Sequence, residues 1–113
     1  MGLMTITDLE MEEWLFGGWD GGFDWNDGNI TKLSKHSVSM EEIESIFTSP
    51  VIFGGKLVSQ EGVKWLEERF ILFGETSTEK QMTVVWTRRG KKLRPISCRR
   101  MRDEEKRKYN LQK

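Results

Sequence analysis

Thr83–Tyr109 reads TVVWTRRGKKLRPISCRRMRDEEKRKY. Its first five residues, Thr83 to Thr87, are β-branched or aromatic throughout, which predicts a buried strand. Gly90 supplies a turn, Leu93 to Cys98 a second extended piece, and Arg100 to Tyr109 a charged segment of helical composition. Arginine and lysine crowd the turn, the second strand and the start of the helix. A strand hairpin that rich in cations, on a small domain, points to a surface made for phosphates.

Upstream, Phe70-Ile71-Leu72-Phe73 is apolar at every position, so the strand it ends, Trp65 to Phe73 with a helical start, is central. Glu75 to Lys80 forms a polar turn, and Gln81 to Thr87 with Leu93 to Arg99 completes a meander. Val51-Ile52-Phe53 predicts another strand and Gly54 to Lys64 a loop or ragged hairpin. Ser39-Met40-Glu41-Glu42 is a capping box, and Ile43, Ile46 and Phe47 give the helix behind it a core-facing stripe. Pro50 marks the end of that helix. Ile30, Leu33 and Val38 bracket a shorter helix ending near His36, and Asn26-Asp27-Gly28-Asn29 is turn and cap chemistry. Asp20, Asp24, Asn26 and Asp27 lack the alternating spacing of a calcium loop. Phe23-Asp24-Trp25 predicts a short strand with both aromatics inward.

Residues 1–22 read as an N-terminal extension to a domain spanning 23–113. Thr7 or Asp8 caps a helix from Leu9 to Phe16, which Gly17-Gly18 stops. Trp14, Leu15, Phe16 and Trp19 are too apolar for a free tail and predict docking on the domain or on a partner. The fold class is therefore α+β: a small antiparallel sheet, helices against one face, two before the strands and one after.

A chain of 113 residues supports one core. No apolar run approaches the length needed to span a bilayer, and no secretory signal is visible. Cys98 is the single cysteine, which excludes an internal disulfide or multi-cysteine metal site and suits a reducing cytoplasm. No cofactor motif occurs. Net charge is zero, yet Met1 to Gly55 holds ten carboxylates against two lysines, while Arg88 to Lys113 holds twelve cations against three acids. The basic end asks for a polyanion; the acidic start either folds back on it or meets a basic partner.

Among single residues, Arg69, Arg94 and Arg99 sit on predicted strands and can project toward one open sheet face, where a planar guanidinium suits a phosphodiester. Lys35-His36 adds a side chain that exchanges protons near neutrality. Each has a plainer account. His36 caps a helix, Arg69 pairs with Glu67 or Glu68 at the surface, and Arg99, Arg100 and Arg102 form a solvated helix face. Tyr109 packs the last helix on the sheet. Arg94, between Leu93 and Ile96, is the hardest to explain as surface charge.

Phe23-Asp24-Trp25-Asn26-Asp27-Gly28-Asn29-Ile30, then Lys35-His36-Ser37-Val38-Ser39 with Glu41-Glu42 and Phe47, resembles the opening of the BrnT family. Glu68-Arg69-Phe70-Ile71-Leu72-Phe73-Gly74 is similar to that family's E-R-F-I-x-x-G strand. Val84-Val85-Trp86-Thr87, Arg94-Pro95-Ile96-Ser97-Cys98-Arg99 and Glu105 to Tyr109 resemble its V-V-x-T…R-x-I-S-A-R…E-x-x-x-Y close. No single motif is specific; their order over Phe23–Tyr109 is. Ser37 replaces a glycine, Asn26 an aspartate and Cys98 an alanine, and Pro95 requires its strand to lie at an edge.

The resemblance implies a RelE-like fold and a cytoplasmic endoribonuclease toxin of a type II toxin–antitoxin pair, cutting RNA without a metal or cofactor and inhibiting growth. It implies a BrnA-like ribbon-helix-helix antitoxin, with operator DNA bound only through that antitoxin and no membrane partner. Carried onto this chain, Arg69, Arg94 and Arg99 hold the scissile phosphate, His36 moves a proton and Glu68 positions substrate. Lys35, Arg88, Arg89, Lys91, Lys92, Arg100 and Tyr109 are the expected RNA contacts. The alternative is a catalytically silent module kept for antitoxin binding and operon autoregulation.

Overall fold

Four consecutive apolar residues need cover on two sides, because successive strand side chains point to opposite faces. In the computed structural model, Phe70–Phe73 are all buried and receive that cover from helices on both faces of the sheet. The structure describes residues 9–25, 38–48, 53–57 and 68–112. The expected turn at 26–29, the helix ending near His36, the position of Ser37, the extended Val51 and Ile52, and the stretch 58–67 lie outside the described residues.

The sheet has four antiparallel strands in the order β1-β2-β3-β4: β1 Phe53–Leu57, β2 Arg69–Glu75, β3 Gln81–Arg89 and β4 Lys92–Arg100. β2 and β3 are central, and Pro95 lies on an edge strand as its missing N–H demands. The β3–β4 hairpin turns at Gly90, whose φ of +63° suits the first central position of a two-residue loop. β1 corrects the expected loop from Gly54. Gly54-Gly55 has turn composition, yet a Cβ on Gly54 would stand 2.0 Å from the Ile71 carbonyl oxygen, so this glycine permits close backbone approach.

Helix α1, Leu9–Glu13, runs into a π-helical turn, Trp14–Gly18. Helix α2, Met40–Ile46, starts on the capping box: Ser39 Oγ accepts from Glu42 N–H, and Glu42 accepts from Ser39 N–H. Helix α3 is Asp103–Gln112, three residues later than the charged segment suggests at its start. Arg102 N–H donates to Glu105, which fixes where that helix begins. Phe23-Asp24-Trp25 forms no full strand; Phe23 makes one parallel bridge to Leu93 on the outer edge of β4.

Met11 and Leu15 enter the main core with Val38, Ile43, Ile46 and Phe47, facing Phe70, Leu72, Met82, Val84, Trp86, Leu93 and Cys98. Trp86 is its centre, stacked on Phe70 at 4.8 Å and on Trp14 at 5.6 Å. The apolar part of the N-terminal segment is thus docked. On the other face Met101 and Tyr109 pack against Phe53, Ile71 and Phe73. Helices on one face only was the expectation; the two-sided cover corrects it, because β2 has no polar side to leave bare.

Candidate functional site

Register decides which arginines share a face. Ile71, Phe73 and Val85 pack toward α3, so the odd residues of β2 and β3 form that face. Arg69 belongs to it, and Thr87 follows one step beyond the Phe70–Trp86 pair, bonding through Oγ1 to the Glu68 carbonyl. Arg94 is the Cα partner of Thr87, and Arg99 that of Thr83. Arg94 and Arg99 are five residues apart, an odd separation that would place them on opposite sides of a regular strand. A bulge intervenes: Val85 faces Ser97 and Trp86 faces Pro95, leaving Ile96 as the extra residue. The bulge brings Arg94 back to the face of Arg99.

That face has two ends. Near the hairpin, Arg69 and Arg94 flank the buried Thr87 from the two neighbouring strands, about 10 Å apart at Cα, close enough for both guanidiniums to meet one phosphate. Next along lie half-buried Val85 and exposed Ser97. Arg99 is further still, four β3 positions from Arg94's partner, or about 13 Å.

Arg99 is clamped. Its Nη1 and Nη2 donate to the Glu105 carboxylate at 2.7 and 2.8 Å, and Glu105 also accepts from Thr83 Oγ1 and Arg102 N–H. Burial alone would raise the Glu105 pKa; the Arg99 fork, the Arg102 amide and Thr83 overcome it and hold the carboxyl at about 2. The Glu105 hydrogen bonds in turn raise the pKa of Arg99. Arg94 is held loosely, its Nε 3.7 Å from an Asp24 carboxylate oxygen and, among the described residues, buried without a hydrogen-bond partner.

Glu68 is not brought to Arg69 and Arg94. Its carboxylate accepts from Lys56 at 2.9 Å and from Arg88, on the opposite face, with Glu10 of α1 beside the same two cations. The Lys56 hydrogen bond, more than its desolvation, sets the direction of its lowered pKa. Arg88 also lies over the Phe70 ring, 5.2 Å from its centroid. Lys92 pairs with Asp20 at 3.2 Å; Arg89, Lys91 and Arg100 are exposed, and Tyr109 is buried against the sheet. His36 and Lys35 lie outside the described residues. Burial pushes the Cys98 thiol up to about 12, so it is a core side chain rather than a nucleophile. Among the described residues no three His, Cys, Asp or Glu side chains are grouped to hold a metal ion, and no helix is long and apolar enough to cross a membrane.

Two partners escaped the sequence: Asp24 for Arg94 and Glu105 for Arg99. Asp24 meets Arg94 only because Gly22 and Asp24 hydrogen-bond the backbone of Leu93. Glu105 lies six residues from Arg99 across a strand-to-helix junction, a spacing with no periodic signature. A family model described as ribonuclease toxin, BrnT, of type II toxin-antitoxin system matches residues 25–113. No curated protein and no solved structure matches the chain.

Proposed function

Because the chain belongs to the BrnT family of ribonuclease toxins of type II toxin–antitoxin systems, we propose that Arg69 and Arg94 form the phosphate-binding centre of a metal-independent endoribonuclease. The observation that carries this is their placement on either side of Thr87, at the end of the sheet face that α3 does not pack against. Two guanidiniums there donate to the non-bridging oxygens of one phosphodiester and stabilise the charge it gains. The ribose 2′-oxygen attacks phosphorus as the bond to the 5′-oxygen breaks. A cyclic phosphate and a free 5′-hydroxyl result, with the 2′-proton lost to a base and one gained by the leaving oxygen. His36, matched through the Lys35-His36 element, is the side chain we assign to that proton traffic.

Arg99 receives a different part: through Glu105 it fixes α3 to the sheet and so shapes the far wall of the site. The exposed Arg89, Lys91 and Arg100 attract RNA at longer range. A sheet with helices before and after it supports a RelE-like reading of the domain. A BrnA-like ribbon-helix-helix antitoxin, and operator DNA bound through it, complete the proposal.

The commitment of Glu68 to Lys56 and Arg88 favours a second reading, a silent module that binds RNA or antitoxin without cutting. Expression of the chain alone, with growth and total RNA followed, separates the two. Growth arrest with RNA loss that Arg94→Ala removes supports the nuclease. Normal growth with intact RNA, in cells holding folded protein, supports the module.

A further inference from the structure

The acidic start of the chain folds back on its basic hairpin. Glu10 lies 3.4 Å from Arg88, Asp20 3.2 Å from Lys92 and Asp24 3.7 Å from Arg94. The order is imposed by the backbone: Asp20 N–H donates to Lys91 O, Leu93 N–H to Gly22 O, and Asp24 N–H to Leu93 O. Met11 and Leu15 anchor the segment in the core and Trp14 stacks on Trp86. The strap therefore stays docked while its carboxylates, all at least a third exposed, remain able to swing aside. Such solvent-screened pairs are weak, so a polyanion displaces them. All but the last residue of the 9–25 segment lies outside the family match at 25–113.

We infer that residues 9–25 are an acidic strap whose Asp20 and Asp24 compete in cis with RNA phosphates for Lys92 and Arg94, while Glu10 shares Arg88 with Glu68 on the opposite face and helps to hold the strap down. This rests on the reading of Arg69 and Arg94 as the phosphate site. The strap sets a threshold: RNA must offer enough phosphates at once to replace both carboxylates, which disfavours short or isolated anions and favours an extended single strand.

Deleting the strap is a poor test, since it removes Met11 and Leu15 from the core. The full chain carrying Asp20→Asn and Asp24→Asn keeps the anchors. Its affinity for a fluorescein-labelled oligoribonucleotide is measured across a salt series, beside a control with Glu12→Gln and Glu41→Gln, which removes the same charge away from the hairpin. The strap variant binds about tenfold more tightly at low salt. Its plot of log affinity against log salt is steeper by about 0.7 for each cation released to a phosphate. The control moves little. Equal shifts in both variants, or an unchanged slope in the strap variant, overturn the strap. Binding that Arg69→Ala with Arg94→Ala abolishes, but that strap neutralisation leaves alone, defeats the strap and spares the site. Binding indifferent to the arginines overturns both.

Discussion

Arg94 and Arg99 leave the same face of the same strand, and their surroundings are opposite. Arg99 lies under α3, where a buried Glu105 takes both ends of its guanidinium and is itself held by Thr83 and the Arg102 amide just before the helix. Arg94 lies on the end of the face away from α3's packing, with one carboxylate at ion-pair distance and hydrogen-bonding capacity left over. Arg99 has both terminal nitrogens committed to a carboxylate within the fold, whereas Arg94 keeps a buried Nε without a hydrogen-bond partner among the described residues. Under the proposed function the contrast makes Arg99 a structural residue and Arg94 a recognition residue, a division that the sequence hinted at only through the place of Arg94 between Leu93 and Ile96.

The largest effect should come from Arg94→Ala. Loss of a donor aimed at developing phosphate charge is expected to slow RNA cleavage by about 100-fold or more, while the urea midpoint barely moves because the Asp24 pair is half-exposed. Arg69→Ala should behave alike. A folded Arg94→Ala protein that cleaves at the wild-type rate would falsify the assignment. At the other end, Glu105→Ala should destabilise the fold by about 3 kcal/mol, since it leaves the Arg99 guanidinium and Thr83 without their partner. RNA affinity of the molecules that remain folded should stay within about twofold. An Arg99→Ala protein of full stability and lost RNA binding would reverse the roles.

Acid titration examines the same clamp without altering the site. The Glu105 carboxyl is held at about 2, against 4.5 for the free side chain. A depressed native pKa stabilises the fold fully above 4.5, and that contribution is lost as pH falls from 4.5 toward 2, about 3 kcal/mol in all. Glu42, held at about 2 chiefly by the Thr78 hydroxyl and the Ser39 amide, titrates over the same window. Wild-type and Glu105→Gln curves must therefore be subtracted. The difference should be flat above pH 5 and shrink below it; a flat difference down to pH 2.5 would remove the charge from the account of the clamp.

Local rules made part of this legible. The capping box, the turn at Gly90, the buried run Phe70–Phe73 and the edge position forced by Pro95 follow from short-range chemistry, and each stands where that chemistry puts it. Gly54-Gly55 misled because a turn and a close strand contact ask for the same residue. The two-sided helix cover was hidden in the apolar run itself, which has no face to spare. The bulge at Ile96 has no sequence signal short of its partner strand, and without it the parity of 94 and 99 argues for opposite faces. The family pattern marks the arginines as positions; it is silent on which of them a carboxylate has already taken.

Glu68 gives the smallest expected effect and the most direct check on that last point. It stands beside Arg69 in sequence, and the family pattern implies that it positions substrate. Its carboxylate turns to the other face, onto Lys56 and Arg88, where Glu10 shares the same cations. These are exposed pairs, worth about 0.5 kcal/mol or less each, and Glu10 remains to cover both cations when Glu68 is neutralised. Glu68→Gln should therefore change stability by less than about 0.5 kcal/mol and cleavage by less than about twofold, with the salt dependence of RNA binding unaltered. A 100-fold loss of cleavage would mean that Glu68 leaves its ion pairs when RNA binds and crosses to the face of Arg94. That outcome would return Glu68 to the site and leave Lys56 and Arg88 to Glu10 on the face it had left.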